Sequence, residues 1–288
     1  MMLSGFTIVR NAIKLDFPIV PAIRSVLEVC DEVVVNVGKS EDETHDLVAG
    51  VNDPRVRIID SEWDFTRKNE MLSQETLKAM AACRGSWGIY IQADEVLHED
   101  GARVLRDRTR EWDADARVEG LLVRYLHFYG GFDTVATNRR WYRREVRCIR
   151  LGHDIRPYQG AQGFRVGPEY RKIRARPTDA VMFHYGWARP ARAIREKLEI
   201  SKIIYPWSRE RSAQEQERGY LEWLPLLKPF TGAHPRVAQE WVRERMVDPE
   251  RRIGPRHFKP EHLRFYMSDW IERLTGERLF EFRNYELT

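Results

Sequence analysis

Apolar and polar positions in the first hundred residues follow two rhythms: short unbroken apolar runs, and longer stretches in which apolar residues recur every three to four positions. The runs predict strands at Gly5–Arg10, Val33–Val37, Val56–Asp60 and Trp87–Gln92. The stretches between them predict helices over about Pro18–Val29, Glu41–Gly50 and Lys68–Cys83. This alternation is the pattern of a parallel sheet with crossover helices. Local punctuation agrees with it. Pro18 suits a first helical turn ahead of an apolar stripe of Ile23, Val26 and Leu27; Ser40 and Glu43 have capping-box spacing; Gly50 and Gly85 stand where helices should end.

From about Val118 the rhythm changes. Leu121–Gly131 reads as a strand rich in aromatic and branched residues, and Glu145–Arg150 and Ala180–His184 read as shorter strands of the same, now mixed, sheet. Beyond Pro190 the pattern is helical, over about Ala191–Ile204, Ala213–Leu227, Pro235–Met246 and Pro260–Leu274. The expectation is an α/β fold: a mainly parallel mixed sheet flanked by helices in residues 1–190, then a helical extension over 191–288. That extension carries Trp207, Tyr220, Trp223 and Trp241, whose aromatic faces can pack helices together.

The 288 residues hold 48 basic and 44 acidic side chains, a net charge of +4, which argues against a binder of nucleic acid over its whole surface. Cys30, Cys83 and Cys148 are odd in number and widely spaced, indicating neither a disulfide framework nor a zinc site. No apolar stretch approaches the roughly 20 residues of a membrane span. These features lead us to expect a soluble, cytoplasmic protein.

The most informative stretch is Gly88-Ile89-Tyr90-Ile91-Gln92-Ala93-Asp94-Glu95, an apolar strand that ends in two carboxylates. In open α/β sheets ligands bind outside the carboxyl ends of the strands, so acids there are candidates for holding a divalent cation. The alternative is that they cap a following helix. His184, which also closes an apolar run, is a candidate second ligand, and a carboxylate with an imidazole suits Mn²⁺ or Mg²⁺ bridging a diphosphate.

Residues 138–150 interleave six arginines with Trp141 and Tyr142, a composition that fits a solvated face, a phosphate site or single-stranded nucleic acid. The run Arg171–Arg176 is a weaker version of the same pattern. A Walker loop, a dinucleotide glycine fingerprint and a nucleophile elbow are all missing from the sequence. Gly38 and Lys39 still lie in a loop after a strand, where a nucleotide is commonly met.

The order of these features resembles the nucleotide-sugar-binding half of family 2 glycosyltransferases, which have the GT-A fold. The likeness covers about the first 190 residues. It rests on Thr7-Ile8-Val9-Arg10-Asn11 after the first strand, Ser40-Glu41-Asp42-Glu43-Thr44 after the second, and Gly85 through Glu95 leading into the acidic motif. The resemblance implies transfer of a sugar from a UDP- or GDP-sugar to an acceptor hydroxyl. Arg10, Asn11, Lys39, Gln92 and Asp94 would contact the donor, and Asp94 and His184 would hold the metal; the aromatic residues of the 191–288 extension could then stack on sugar rings, and the extension is expected to be a lid on the acceptor side or a contact in a homo-oligomer.

Three departures accompany it. Gln92 replaces the first aspartate of the usual motif, the base-reading aspartate is replaced around Asn36-Val37-Gly38, and Tyr158-Gln159-Gly160-Ala161-Gln162-Gly163 lacks the expected carboxylate base. Asp154 and Asp133 are the candidate substitutes for that base. Two other functions compete: a sugar nucleotidyltransferase, and a non-catalytic binder of RNA or an anionic polymer through the arginine–aromatic cluster.

Overall fold

A computed structural model describes residues 1–160, 162–205, 221–246, 253–276, 278, 281 and 283–288. The four early strands form as β1 (Leu3–Val9), β2 (Glu32–Gly38), β3 (Val56–Ser61) and β4 (Trp87–Tyr90), parallel to one another in the order β3-β2-β1-β4. Every residue of β1, β2 and β4 is buried, which is why these strands read as continuous apolar runs and not as alternation.

The connecting helices are α1 (Ile19–Leu27), α2 (Thr44–Ala49) and α3 (Asn69–Ala81). Ile23, Val26 and Leu27 of α1 pack on one face of the sheet with Leu3, Val9 and Val35. Ala79 of α3 packs on the other face with Phe6, Ile8 and Tyr90. At Gly5 a side chain would lie 3.1 Å from Val26 and Val33, so the glycine is what lets α1 sit directly against β1.

The second half adds β5 (Glu95–Leu97), α4 (Glu99–Trp112), β6 (Gly120–Tyr129), β7 (Thr134–Ala136), β8 (Arg144–Arg150), β9 (Ile155–Tyr158), β10 (Gly163–Val166) and β11 (Arg171–Trp187). The sheet continues β4-β8-β6-β11-β10-β9. β8 runs antiparallel between β4 and β6, while β6 and β11 are parallel. The mixed α/β sheet expected from the sequence is therefore present, with its uninterrupted parallel part confined to β3-β2-β1-β4.

The C-terminal region contributes α5 (Ala191–Ile204), β12 (Leu227–Pro229), α6 (Gln239–Arg245), α7 (Leu263–Thr275) and β13 (Tyr285–Leu287). Here β12 pairs with β7 and β13 with β11, so this region also adds strands to the sheet. None of the described helices is long and apolar enough to cross a membrane.

Several local expectations are corrected. The short strand predicted at Ala180–His184 is the end of the 17-residue β11. Its charged start and Pro177 hide it, and the pairing with β6 is irregular between Pro177 and Val181. Ser40 and Glu43 form no capping box: Ser40 Oγ accepts from Asn11 N and donates to Gly38 O, tying the loops after β1 and β2 together. Gly50 closes α2 in right-handed geometry. Of the helix expected over Ala213–Leu227, residues 213–220 lie outside the described residues, as do Trp207 and Tyr220. Residues 221–226 are not helical, and Leu227 begins β12.

Candidate active site

After β4 the chain turns through residues 91–94 and returns as β5 against β11. The register places Glu95 opposite His184, and Tyr185 N donates to Asp94 O at 2.8 Å. Two segments 90 positions apart in sequence are thus joined by backbone hydrogen bonds at the carboxyl ends of the strands.

The two adjacent acids have different fates. Glu95 is fully buried and caps no helix; the cap of α4 is His98, whose Nδ1 accepts from Asp100 N at 3.3 Å. The Glu95 carboxylate accepts from Arg147 at 2.9 and 3.1 Å, from Tyr125 Oη at 2.7 Å and from Gln92 N at 3.0 Å. Arg147 is itself 1% exposed and lies between the rings of Tyr90 and Tyr125. Such a pair survives burial because geometry and added hydrogen bonds offset desolvation.

Asp94 is held differently. Its Oδ2 lies 3.6 Å from His184 Nε2 and 3.9 Å from Lys197 Nζ. Burial alone would push this carboxyl up, but His184, Lys197 and Arg189 outweigh it and hold the group well below the usual carboxylate range. Asp94 is therefore an anion at any physiological pH.

The state of His184 follows from its neighbour. His127 Nε2 lies 2.8 Å from the Tyr142 carbonyl, which can only accept, so that nitrogen carries a proton. Burial and the adjacent His184 keep His127 well below the usual histidine range, so its Nδ1 is bare. His184 Nδ1, 3.0 Å away, must be the donor between them. With Nδ1–H so engaged, His184 presents its Nε2 to Asp94, the orientation imposed on metal-binding histidines by an outer-shell partner.

The space in front of this pair is kept open by Gly186. A side chain there would come within 2.5 Å of His184 Nε2 and 2.8 Å of Asp94 Oδ2. An oxygen and a nitrogen converging on a gap that one methyl group would fill fit a divalent cation well. Among the described residues, no three His, Cys, Asp or Glu side chains converge. Remaining coordination would therefore fall to substrate oxygens and water, as is usual for Mg²⁺.

Asp94 stands at the edge of a cavity of about 240 Å³ between the carboxyl end of β1 and helix α5, whose walls include Arg10, Trp63, Phe65 and Lys197. Arg10 lies over the Phe65 ring and bonds Lys39 O and Glu41. Lys197 is aimed by Gly186 O at 2.9 Å and by the Trp187 ring at 4.5 Å. The wall is mostly apolar, with Lys197 and Arg10, the latter paired with Glu41, as its basic groups beside Asp94. A second cavity of about 630 Å³ meets the first at Gln92, Gly160 and Tyr205. Together they reach the size of ordinary ligand clefts, roughly 300–1,000 Å³.

The other residues singled out from the sequence are dispersed. Gln92 lines both cavities. Asn11, at φ 53, accepts Glu41 N on its side chain and serves loop geometry. Lys39 is 77% exposed and pairs with Glu62, away from either cavity. Asn36 is buried in β2 against Glu75 and Ser61. Asp154 and Asp133 line neither cavity: the first grips Arg156, the second Thr134.

Three of the six clustered arginines are engaged within the protein. Arg147 and Arg150 are buried, Arg150 on the carbonyls of Trp112, Asp115 and Val118, while Arg143 pairs with Glu272 and Glu281. Arg171 and Arg174 likewise grip Glu119. Sequence reasoning missed Lys197, His127 and the spacing role of Gly186. Lys197 sits in a helix that reads only as an appendage, and His127 sits within an aromatic run.

No protein-family model and no curated protein matches this chain. Among solved structures it is similar to S. aureus TarS 1-349, at 12% identity and a TM-score of 0.43, over 76% of this chain and 74% of that one. Against a longer TarS chain the match is 18% identical with a TM-score of 0.36 and spans 44% of this chain but only 22% of that one. It is also similar to glucosyl-3-phosphoglycerate synthase from Mycobacterium tuberculosis in complex with Mn²⁺, UDP and glucosyl-3-phosphoglycerate, at 17% identity, a TM-score of 0.31 and 45% coverage of each chain.

Proposed function

We propose that this cleft binds a nucleoside-diphosphate sugar, UDP- or GDP-linked, together with Mn²⁺ or Mg²⁺, and transfers the sugar to an acceptor hydroxyl. The observation that carries the reading is the pair of Asp94 Oδ2 and His184 Nε2, 3.6 Å apart before a gap kept open by Gly186, beside a cavity walled by Arg10 and Lys197. A divalent cation held there would neutralise the diphosphate and make it a better leaving group. In the transfer, the acceptor oxygen forms a bond to the anomeric carbon. The bond from that carbon to the diphosphate oxygen breaks, its electron pair leaving with the diphosphate, and the proton of the acceptor hydroxyl passes to water.

The chain's own groups have separate tasks. Lys197, fixed by Gly186 O and the Trp187 ring, supplies a positive charge beside the departing oxygens. Phe65 and Trp63 offer apolar surface to the nucleoside, and Arg10 positive charge. Calorimetric titration of UDP and GDP, with and without Mn²⁺, tests the reading. Wild type should bind one of them in a metal-dependent way, and Asp94→Ala should lose at least a hundredfold of that affinity while keeping its fold. Equal binding by the variant, or no nucleotide binding under any metal, would refute it.

A further inference from the structure

The larger cavity, of about 630 Å³, has a wall chemistry that selects among acceptors. Its described lining is Asn69, Gln92, Tyr142, Gln159, Gln162 and Tyr205, with the Gly160 backbone and one ion, Arg147. Arg147 offers no free charge, because its guanidinium is bonded through two nitrogens to Glu95 and is 1% exposed. No carboxylate lies among these lining residues. The described wall is thus made of neutral groups, four amides and two phenols, whose side chains carry both donor and acceptor atoms.

The ring is held in place from behind. Gly160 N donates to Ser73 Oγ on α3 at 3.0 Å, and Tyr205 Oη donates to Gly160 O at 3.2 Å, which ties the loop between β9 and β10 to both α3 and the end of α5. Gln159 is left-handed, at φ 41, within this loop. The cavity adjoins the Asp94 side at Gln92, Gly160 and Tyr205, so a molecule in it would face whatever occupies the smaller one.

We infer that the larger cavity is an acceptor site for an uncharged polyhydroxy compound, a sugar or polyol presenting several hydroxyls, and not for a phosphorylated or carboxylated acceptor. This deepens the transferase reading and rests on it for the word acceptor. Neutral amides and phenols match the paired donor and acceptor character of hydroxyls. An anion would lose its hydration and find the one cation among the described lining residues already neutralised by Glu95.

Saturation-transfer NMR on the full chain tests the inference without requiring turnover. The probes are methyl glucosides and glycerol against glucose 6-phosphate and phosphoglyceric acid, with UDP and GDP, each with Mg²⁺, titrated in parallel. The neutral probes should bind, and Gln159→Ala with Gln162→Ala should weaken them roughly five- to tenfold, about the loss of one or two hydrogen bonds. Gln162→Lys should shift preference toward the phosphates. The inference fails if the anionic probes bind as well as the neutral ones to wild type, if the double variant binds unchanged, or if neither class binds. Nucleotide, UDP or GDP with Mg²⁺, separates the two readings: glucoside binding to a wild type that binds neither nucleotide would sink the donor assignment and leave the neutral-ligand site intact, whereas nucleotide binding without glucoside binding would do the reverse.

Discussion

The cleft floor around Asp94 and the layer beneath it around Glu95 are made from consecutive residues, yet they differ in almost every physical respect. Beneath, the carboxylate has four hydrogen bonds and a buried guanidinium. At the floor, the carboxylate faces a histidine nitrogen and a lysine across 3.6 and 3.9 Å, with space left between. Saturation of the lower acid makes it a fastener between β5 and β8. Incomplete satisfaction of the upper one makes it available to a ligand. A pair of acids at a strand end is therefore not a single signal; which of the two is served by the protein itself decides which is left for chemistry.

The comparison breaks most directly at the fastener. Glu95→Ala leaves Arg147 buried without its counter-charge, and an unfolding loss of about 3–5 kcal/mol is expected, read from denaturant titration. Adding Arg147→Met should recover much of that loss. If Glu95→Ala leaves stability unchanged, or Asp94→Ala unfolds the chain, the division between the two layers is wrong.

Gly186→Ala sharpens the other side. The backbone at Gly186 does not need a left-handed conformation, so alanine is acceptable to the chain, but its methyl would fall within 3 Å of both Asp94 Oδ2 and His184 Nε2. We expect metal-dependent nucleotide affinity to drop roughly tenfold or more, of order 1.4 kcal/mol, and the melting temperature to fall as well, because the methyl must displace the buried His184 ring. Manganese titration followed by electron paramagnetic resonance measures it. Unchanged manganese binding would mean that the gap is not where the cation sits.

The smallest effect concerns a third buried acid, Glu145, which touches Asn284 and Val146 N. Burial pushes its carboxyl up to about 7 against the opposing pull of Arg147. An unfolded glutamate ionises near 4.5, so between that pH and about 7 the folded chain retains a proton that the unfolded chain has lost. Stability from this group is therefore full below pH 4.5 and declines as pH rises to 7. Glu145→Gln should raise the melting temperature by roughly 2–4 °C at pH 8, about 1 kcal/mol for a chain of this size, and much less at pH 5. Equal gains at both pH values would argue against a titrating Glu145.

The parallel half of the sheet was legible because β1, β2 and β4 are buried on both faces and stand out as apolar runs. The start of β11 was not, since Arg171 and Arg174 read as a solvated patch until Glu119 is brought beside them by the fold. Asp94 and His184 could be paired from their positions at strand ends. The separate roles of Asp94 and Glu95 could not, because they depend on Arg147 and Tyr125 arriving from distant strands. Lys197 was hidden for a related reason: nothing in a helical pattern announces that one of its lysines points back over the sheet.

The antiparallel pairing of β5 with β11 also sets an order in time. A slip of one residue in that register would turn His184 away from Asp94, so the pair exists only once β11 has docked correctly. Those residues are 90 positions apart. At synthesis rates of about 5–20 residues per second, a nascent chain would carry Asp94 for roughly 5–20 s before His184 is made. During that interval the early parallel strands can pair, but the Asp94–His184 pair does not yet exist.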